Sequence, residues 1–189
     1  MVLHENVLGK VLEVSQASFW QSNEKAPEVL TDAVLEFAQL KTGEHVLDLY
    51  GGVGLFTAAI VEAVGPAGHV DLIEGSKVAT ADAARNFANN PNVTIATGDV
   101  AKLLPRITAA DVVVLDPPRD GAGKEAIAHI ARLKPRSVVY VACDPAALAR
   151  DTAYLADHSY SLSQIRAFDL FPMTHHIECV ALYTRAEVS

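Results

Sequence analysis

From Glu44 onward the chain alternates between two kinds of segment, and that alternation restricts the fold more than any other feature. His45–Tyr50, Val70–Glu74, Val93–Ala96, Asp111–Asp116 and Ser137–Cys143 are short apolar runs, mostly rich in β-branched residues. Such runs read as buried strands. Helical patterns follow each of them, over Leu55–Val64, Lys77–Asn89, near Val100–Arg106, near Lys124–Leu133, and from Pro145 to about Asp157. Repeated β-α units require a parallel sheet covered by helices on both faces. Two further strands, near Leu162–Asp169 and Glu178–Thr184, have no full helix between them. They predict a closing hairpin, so that a seven-stranded, mostly parallel sheet ends with one antiparallel strand.

Upstream of this region, Pro27–Leu40 is amphipathic, with Leu30, Val34, Leu35 and Phe37 on its apolar side, and Thr42-Gly43 ends it. An aromatic-polar cluster, Ser18–Asn23, precedes that helix. Val7–Val14 reads as a strand or hairpin and as the tail of something larger. The expected division is therefore a remnant of a preceding domain over residues 1–18 and one catalytic domain over residues 19–189. With 189 residues, half of them apolar, the chain can bury a full core. No apolar run is long enough to cross a bilayer and no secretory pattern opens the chain, which predicts a cytoplasmic protein. The two cysteines, Cys143 and Cys179, make neither a disulfide framework nor a zinc site. A net charge of −8 argues against a strong nonspecific grip on nucleic acid by this chain alone. It leaves room for a local basic patch or a partner domain.

The first strand runs into Asp48-Leu49-Tyr50-Gly51-Gly52-Val53-Gly54. Gly52 and Gly54 allow a tight turn and close approach of a ligand to the backbone. Glu74 follows at the tip of the second strand, at a spacing suited to the hydroxyls of an adenosine ribose. A dinucleotide fold shares that layout. The glycine spacing departs from its fingerprint, however, because the third glycine position falls on Thr57. Asp48 also suits an amino-acid ammonium better than a pyrophosphate, so S-adenosylmethionine is favoured over a nicotinamide cofactor. Asp99, after the third strand, is placed to meet the adenine amino group, to cap a helix, or both. The fourth strand ends in Asp116-Pro117-Pro118-Arg119, a rigid platform. Amine methyltransferases carry an aromatic residue where Arg119 stands, which leaves carbon methylation open.

Cys143 lies where the fifth strand ends and a helix begins, with Asp144 as N-cap and Pro145 in the first turn. A helix N-terminus favours a thiolate, whereas the negative charge of Asp144 should oppose it. Position alone leaves open whether this thiol is reactive or buried and inert. Methylating carbon 5 of uracil would employ it: a thiolate adds to carbon 6, and a base later removes the carbon 5 proton. Glu178, opening the last strand, is the candidate base. His175 and His176 have no third ligand in view and read as loop polarity, so no metal is expected.

At these residues the chain resembles the catalytic domain of bacterial RNA 5-methyluridine methyltransferases, which act on transfer RNA and 23S ribosomal RNA. Phe19-Trp20-Gln21-Ser22-Asn23 is similar to their Phe-Phe-Gln-Val-Asn motif, and Asp48–Phe56 to their glycine motif. Asp116–Gly121 matches Asp-Pro-Pro-Arg-x-Gly. Val141–Asp151 and Asp169–Glu178 match the nucleophile and base motifs. The resemblance implies a Rossmann-like class I S-adenosylmethionine-dependent methyltransferase fold, with Cys143 as nucleophile and Glu178 as base. It implies cofactor contacts at Gln21, Tyr50, Glu74, Asp99 and Asp116. Arg119 and Arg150 are expected to meet the flipped nucleotide or its phosphate. It further implies an RNA partner, rRNA or tRNA, a monomer, and a missing N-terminal RNA-binding domain; some relatives carry an iron–sulfur cluster. Departures stand at Ala142 and Asp144, where the family has serine and asparagine, and at Leu148 and Leu55. The rival readings are cytosine carbon 5 methylation, a cofactor-binding RNA module without activity, and a nicotinamide-dependent oxidoreductase.

Overall fold

The computed structural model describes residues 2–170 and 177–185. Two strands, β1 (Val2–Val7) and β2 (Lys10–Ser15), form an antiparallel hairpin. Helix α1 (Ala26–Ala38) follows. Then come β3 (His45–Leu49), α2 (Leu55–Val64), β4 (His69–Glu74), α3 (Lys77–Asn86), β5 (Val93–Thr97) and α4 (Val100–Leu103). The chain continues through β6 (Val112–Leu115), α5 (Gly123–Leu133), β7 (Ser137–Ala142), α6 (Pro145–Ala156), β8 (Tyr160–Phe168) and β9 (Glu178–Arg185).

The large sheet has the order β5-β4-β3-β6-β7-β9-β8. β9 runs antiparallel to both of its neighbours, and every other pairing in that sheet is parallel. The expected closing hairpin is therefore present, with β9 inserted between β7 and β8. The central strands read as continuous apolar runs because both faces are covered. Val112–Leu115 and Ser137–Ala142 are buried throughout. One layer, around Leu47, Leu115, Ile127, Tyr140 and Leu155, lies on one face, and a second, around Leu30, Phe37, Ile60, Val114 and Val139, on the other. None of the described helices is long and apolar enough to cross a membrane.

Helix α3 ends at Asn86, three residues before the sequence predicts, and Phe87 takes the C-cap. The hairpin is bound to this helix. Asp82 is 1% exposed and accepts from the Ser15 amide (2.8 Å), the Ser15 hydroxyl (2.6 Å) and the Ser18 hydroxyl (2.6 Å). Arg85 pairs with it as well. Asn86 donates to the Glu13 carbonyl at 3.1 Å and accepts from the Glu13 amide at 2.8 Å. Leu12 and Val14 are buried beneath.

Candidate active site

In an open α/β sheet, ligands sit where the parallel strands end. Here the ends of β3, β4, β5, β6 and β7 and the start of β9 all border one cleft of about 1010 Å³. That is the upper end of the size of small-molecule sites, about 300–1,000 Å³.

The turn after β3 forms the floor. Tyr50 adopts φ 59°, a left-handed conformation unusual for a non-glycine residue, and Gly52 and Gly54 follow at 57° and 97°. A Cβ on Gly54 would stand 2.2 Å from the Phe87 ring, so only glycine fits against that side chain. A Cβ on Gly52 would meet no protein atom within 4 Å, and that residue borders the cleft. Beneath the turn Asp48 is fully buried. Its Oδ2 accepts from the Thr57 amide at 3.0 Å and hydroxyl at 2.6 Å, while Oδ1 has no partner. Burial pushes this carboxyl up to about 6; the Thr57 bonds oppose that, and the Glu74 charge adds to it.

The Glu74 carboxylate is held at both oxygens, accepting from the Gly52 amide (3.0 Å) and the Ser76 amide (2.7 Å). Asp99 caps α4, accepting from the Lys102 amide at 3.2 Å, and borders the cleft too, so both expected roles are compatible. The Tyr50 phenol beside it is pushed up to about 12, by burial and then by the charge of Asp99.

The opposite wall holds Asp116, Pro117, Pro118, Arg119, Cys143 and Glu178. Burial pushes Asp116 up to about 8, with added repulsion from Glu178, Asp48 and Glu74. The Cys143 thiol is also pushed up, by burial first, then by the charges of Glu178 and Asp116, while Arg119 opposes the shift. Glu178 is raised by burial and lowered by Arg119. The charges acting on the thiol are thus not the one the sequence points to. Asp144 turns its carboxylate to the helix, accepting from the Ala146 and Ala147 amides at 2.8 and 2.9 Å.

Of the residues singled out from sequence, Gln21, Tyr50, Gly52, Glu74, Asp99, Asp116, Arg119, Cys143 and Glu178 border the cleft. Asp48, fully buried, and Gly54 are not among the lining residues. Arg150 is not part of the lining: its guanidinium bonds Asp151 at 3.0 Å and the Asp120 carbonyl. His175 and His176 fall outside the described residues. Sequence reasoning missed Asp151. Its Oδ2 accepts from the Tyr140 hydroxyl (2.7 Å) and the amides of Ala122 (2.7 Å) and Gly123 (3.2 Å). It thereby ties α6 to the end of the loop that carries Arg119. An aspartate within an otherwise apolar stripe of α6 was the available signal. An acid-lined cleft of this kind suits a cationic ligand, and a thiol, a carboxylate and a guanidinium on one wall suit addition to an electrophilic ring.

A family model described as tRNA (uracil-5-)-methyltransferase matches residues 104–186, and one described as methyltransferase small domain matches residues 23–137. An RNA methyltransferase of Streptomyces avermitilis is 46% identical over 182 residues, covering 95% of this chain and 42% of that protein. One from Caldanaerobacter subterraneus is 40% identical over 179 residues, covering 92% and 39%. The chain thus spans about two-fifths of the length of these relatives. Among solved structures, the Pyrococcus abyssi tRNA (uracil-54, C5)-methyltransferase in complex with S-adenosyl-L-homocysteine superposes with a TM-score of 0.84 at 29% identity, over 97% of this chain and 44% of that one. A precorrin-6y C5,15-methyltransferase from Geobacter metallireducens superposes at 0.74 with 15% identity, over 92% of this chain and 93% of that one, a likeness of fold alone.

Proposed function

The chain belongs to the methyltransferase small-domain family, and on that premise we propose that it methylates carbon 5 of a uridine in RNA, with S-adenosylmethionine as donor and a covalent bond to Cys143 in the intermediate. The observation that carries this reading is the meeting of Cys143, Glu178, Arg119 and Asp116 in one cleft with the glycine turn.

The donor set fits that cofactor. Glu74, fixed at both oxygens, suits the ribose hydroxyls, and Asp99 suits the adenine amino group. Asp116, raised by burial and then by the acids around it, regains its charge beside a cation, which the methionine end supplies. Gln21, Tyr50 and the open face of Gly52 complete the cradle. When bound, the cofactor presents a methyl group on a sulfonium.

This chain's residues then act on the base. A uridine must leave its stack to enter the cleft. The Cys143 thiolate bonds to carbon 6, and the electron pair of the 5,6 double bond makes carbon 5 a nucleophile for the methyl group that the cofactor would supply, the cofactor sulfur keeping the electron pair of the broken methyl–sulfur bond. Glu178 takes the carbon 5 proton as the sulfur–carbon bond breaks, restoring the double bond and releasing the thiolate. Arg119, which opposes the upward shifts that burial gives Cys143 and Glu178, favours the thiolate and carboxylate forms.

In this reading the stretch is the catalytic part of a longer cytoplasmic protein, with residues 1–18 the end of a preceding domain and the net charge of −8 leaving much of the RNA contact to other parts. The test is a tRNA or 23S rRNA fragment containing 5-fluorouridine, incubated with cofactor and the longer protein that includes this stretch. Because fluorine at carbon 5 cannot leave as a proton does, a covalent protein–RNA species is expected. Absence of such a species, or its survival in Cys143→Ala, would overturn the mechanism.

A further inference from the structure

The end of the sheet remote from the cleft carries a group of side chains that the proposed methyl transfer does not use. His45 opens β3 and His69 opens β4, and the two are register partners. Asp71 lies two residues beyond His69, on the same face of its strand. Thr94 of β5 is the register partner of Asp71. Three neighbouring strands therefore bring polar side chains to one spot at the rim of an apolar sheet.

Both imidazoles turn the same nitrogen to one carboxylate. His45 Nε2 is 2.7 Å from Asp71 Oδ2, and His69 Nε2 is 3.3 Å from Asp71 Oδ1. The rings are edge-on, with centroids 5.2 Å apart and planes at 69°. One potential donor atom from each of the three residues lies within 4.8 Å of the others. Around a tetrahedral zinc-class ion with bonds of about 2.0–2.2 Å, donor atoms stand about 3.3–3.5 Å apart. The His69 Nε2–Asp71 Oδ1 contact already has this spacing; His45 Nε2 faces the other oxygen, Oδ2, at 2.7 Å, so an ion would draw the two imidazoles and the carboxylate together by small side-chain shifts. The side chains of His45, His69 and Asp71 are 29%, 40% and 15% exposed, so an ion can enter and water can take a fourth position.

We infer that His45, His69 and Asp71 bind a divalent transition ion of the zinc class at the strand starts opposite the cleft. Two imidazoles and one carboxylate suit zinc, cobalt or nickel; magnesium and calcium prefer all-oxygen sets. The ion joins β3 to β4, whose other ends carry Asp48 and Glu74, and stabilises the native chain by mass action.

Cobalt(II) titration of the chelator-treated chain tests this. One equivalent should bind saturably, with visible d–d absorption that zinc displaces and magnesium leaves unchanged. His45→Ala and His69→Ala should each weaken binding at least tenfold; Cys143→Ser and the paired His175→Ala/His176→Ala variant should retain it. Thermal melting of the unmodified chain should rise with zinc, a readout that does not depend on any variant folding. Absence of saturable cobalt absorption in the unmodified chain overturns the inference, as does absorption unchanged in both His45→Ala and His69→Ala.

Discussion

The antiparallel register that pairs Ala142 with Cys179 carries Cys143 to the position opposite Glu178, one step past the last hydrogen-bonded pair of β7 and β9. The proposed nucleophile and the proposed base are therefore neighbours across two strands, although 35 residues separate them in the chain. Burial raises the thiol, and this closeness adds to the shift, because the Glu178 charge repels a thiolate.

Replacing Glu178 by glutamine removes that repulsion and the base together. In Glu178→Gln the Cys143 pKa should fall, seen as faster alkylation by iodoacetamide near neutral pH. Methylated RNA should at the same time stay attached to the protein. Release of free methylated RNA at the normal rate would assign proton removal to another group.

Asp116 and Asp48 make the stability of the ligand-free chain depend on pH. Their carboxyls are pushed up to about 8 and about 6 from an ordinary value of 3.8. A group raised in the folded state holds its proton more tightly there than when unfolded. Its contribution is fully present below the unfolded value and is lost as pH rises through the folded one. The melting temperature of the ligand-free chain should therefore decline between pH 5 and pH 8. Asp116→Asn should flatten that decline, and saturating S-adenosylmethionine should reduce it. A flat profile in the unmodified chain would refute the assignment.

Gly54→Ala should lower stability by about 3 kcal/mol, combining strain at positive φ with the clash against Phe87. Urea denaturation reads the loss. Gly52→Ala places its methyl where no protein atom stands. It should weaken cofactor binding at least tenfold with a smaller change in stability, as calorimetric titration would report.

Asp151→Ala would leave the Tyr140 hydroxyl and the Gly123 amide without their acceptor, and the Ala122 amide with only its 3.2 Å bond to the Tyr140 hydroxyl. A loss of about 3 kcal/mol follows from leaving buried donors unsatisfied. Tyr140→Phe removes its bond to Asp151 and the longer one it accepts from the Ala122 amide at 3.2 Å, but leaves both amides their carboxylate acceptor, and should lose about 1 kcal/mol. If the two variants melt alike, the shared carboxylate does not hold this junction.

Much of this was legible in the sequence because it is written in local patterns. The continuous apolar runs and the helical patterns between them locate the strands and helices from β3 onward, and the missing helix between β8 and β9 betrays the antiparallel strand. The glycine turn, Glu74 and Cys143 stand at strand ends, where an open sheet gathers them automatically. What could not be read depends on long-range placement. Asp82 holding Ser15 and Ser18, and Asp151 holding Ala122, join segments far apart in sequence and leave no periodic trace. The charge beside Cys143 was misassigned for a related reason. Asp144 is its nearest acid along the chain, but the helix amides take that carboxylate, and the acids that act on the thiol come from β6 and β9.

The position of β9 also bears on how the molecule is made. Synthesis completes β7 well before β9, yet β9 is the strand that covers its edge. Until β9 emerges, Ser137–Ala142 presents an unpaired apolar border, a surface on which nascent chains can stick to one another. β8 must wait, since among the described residues β9 is the one strand it pairs with. Completion of the sheet is accordingly a late, nonlocal event, and the rate of that closure rather than helix formation should limit folding. The strand that seals the sheet is the same one that delivers Glu178, so the nascent protein gains its proposed catalytic pair only when its aggregation-prone edge disappears.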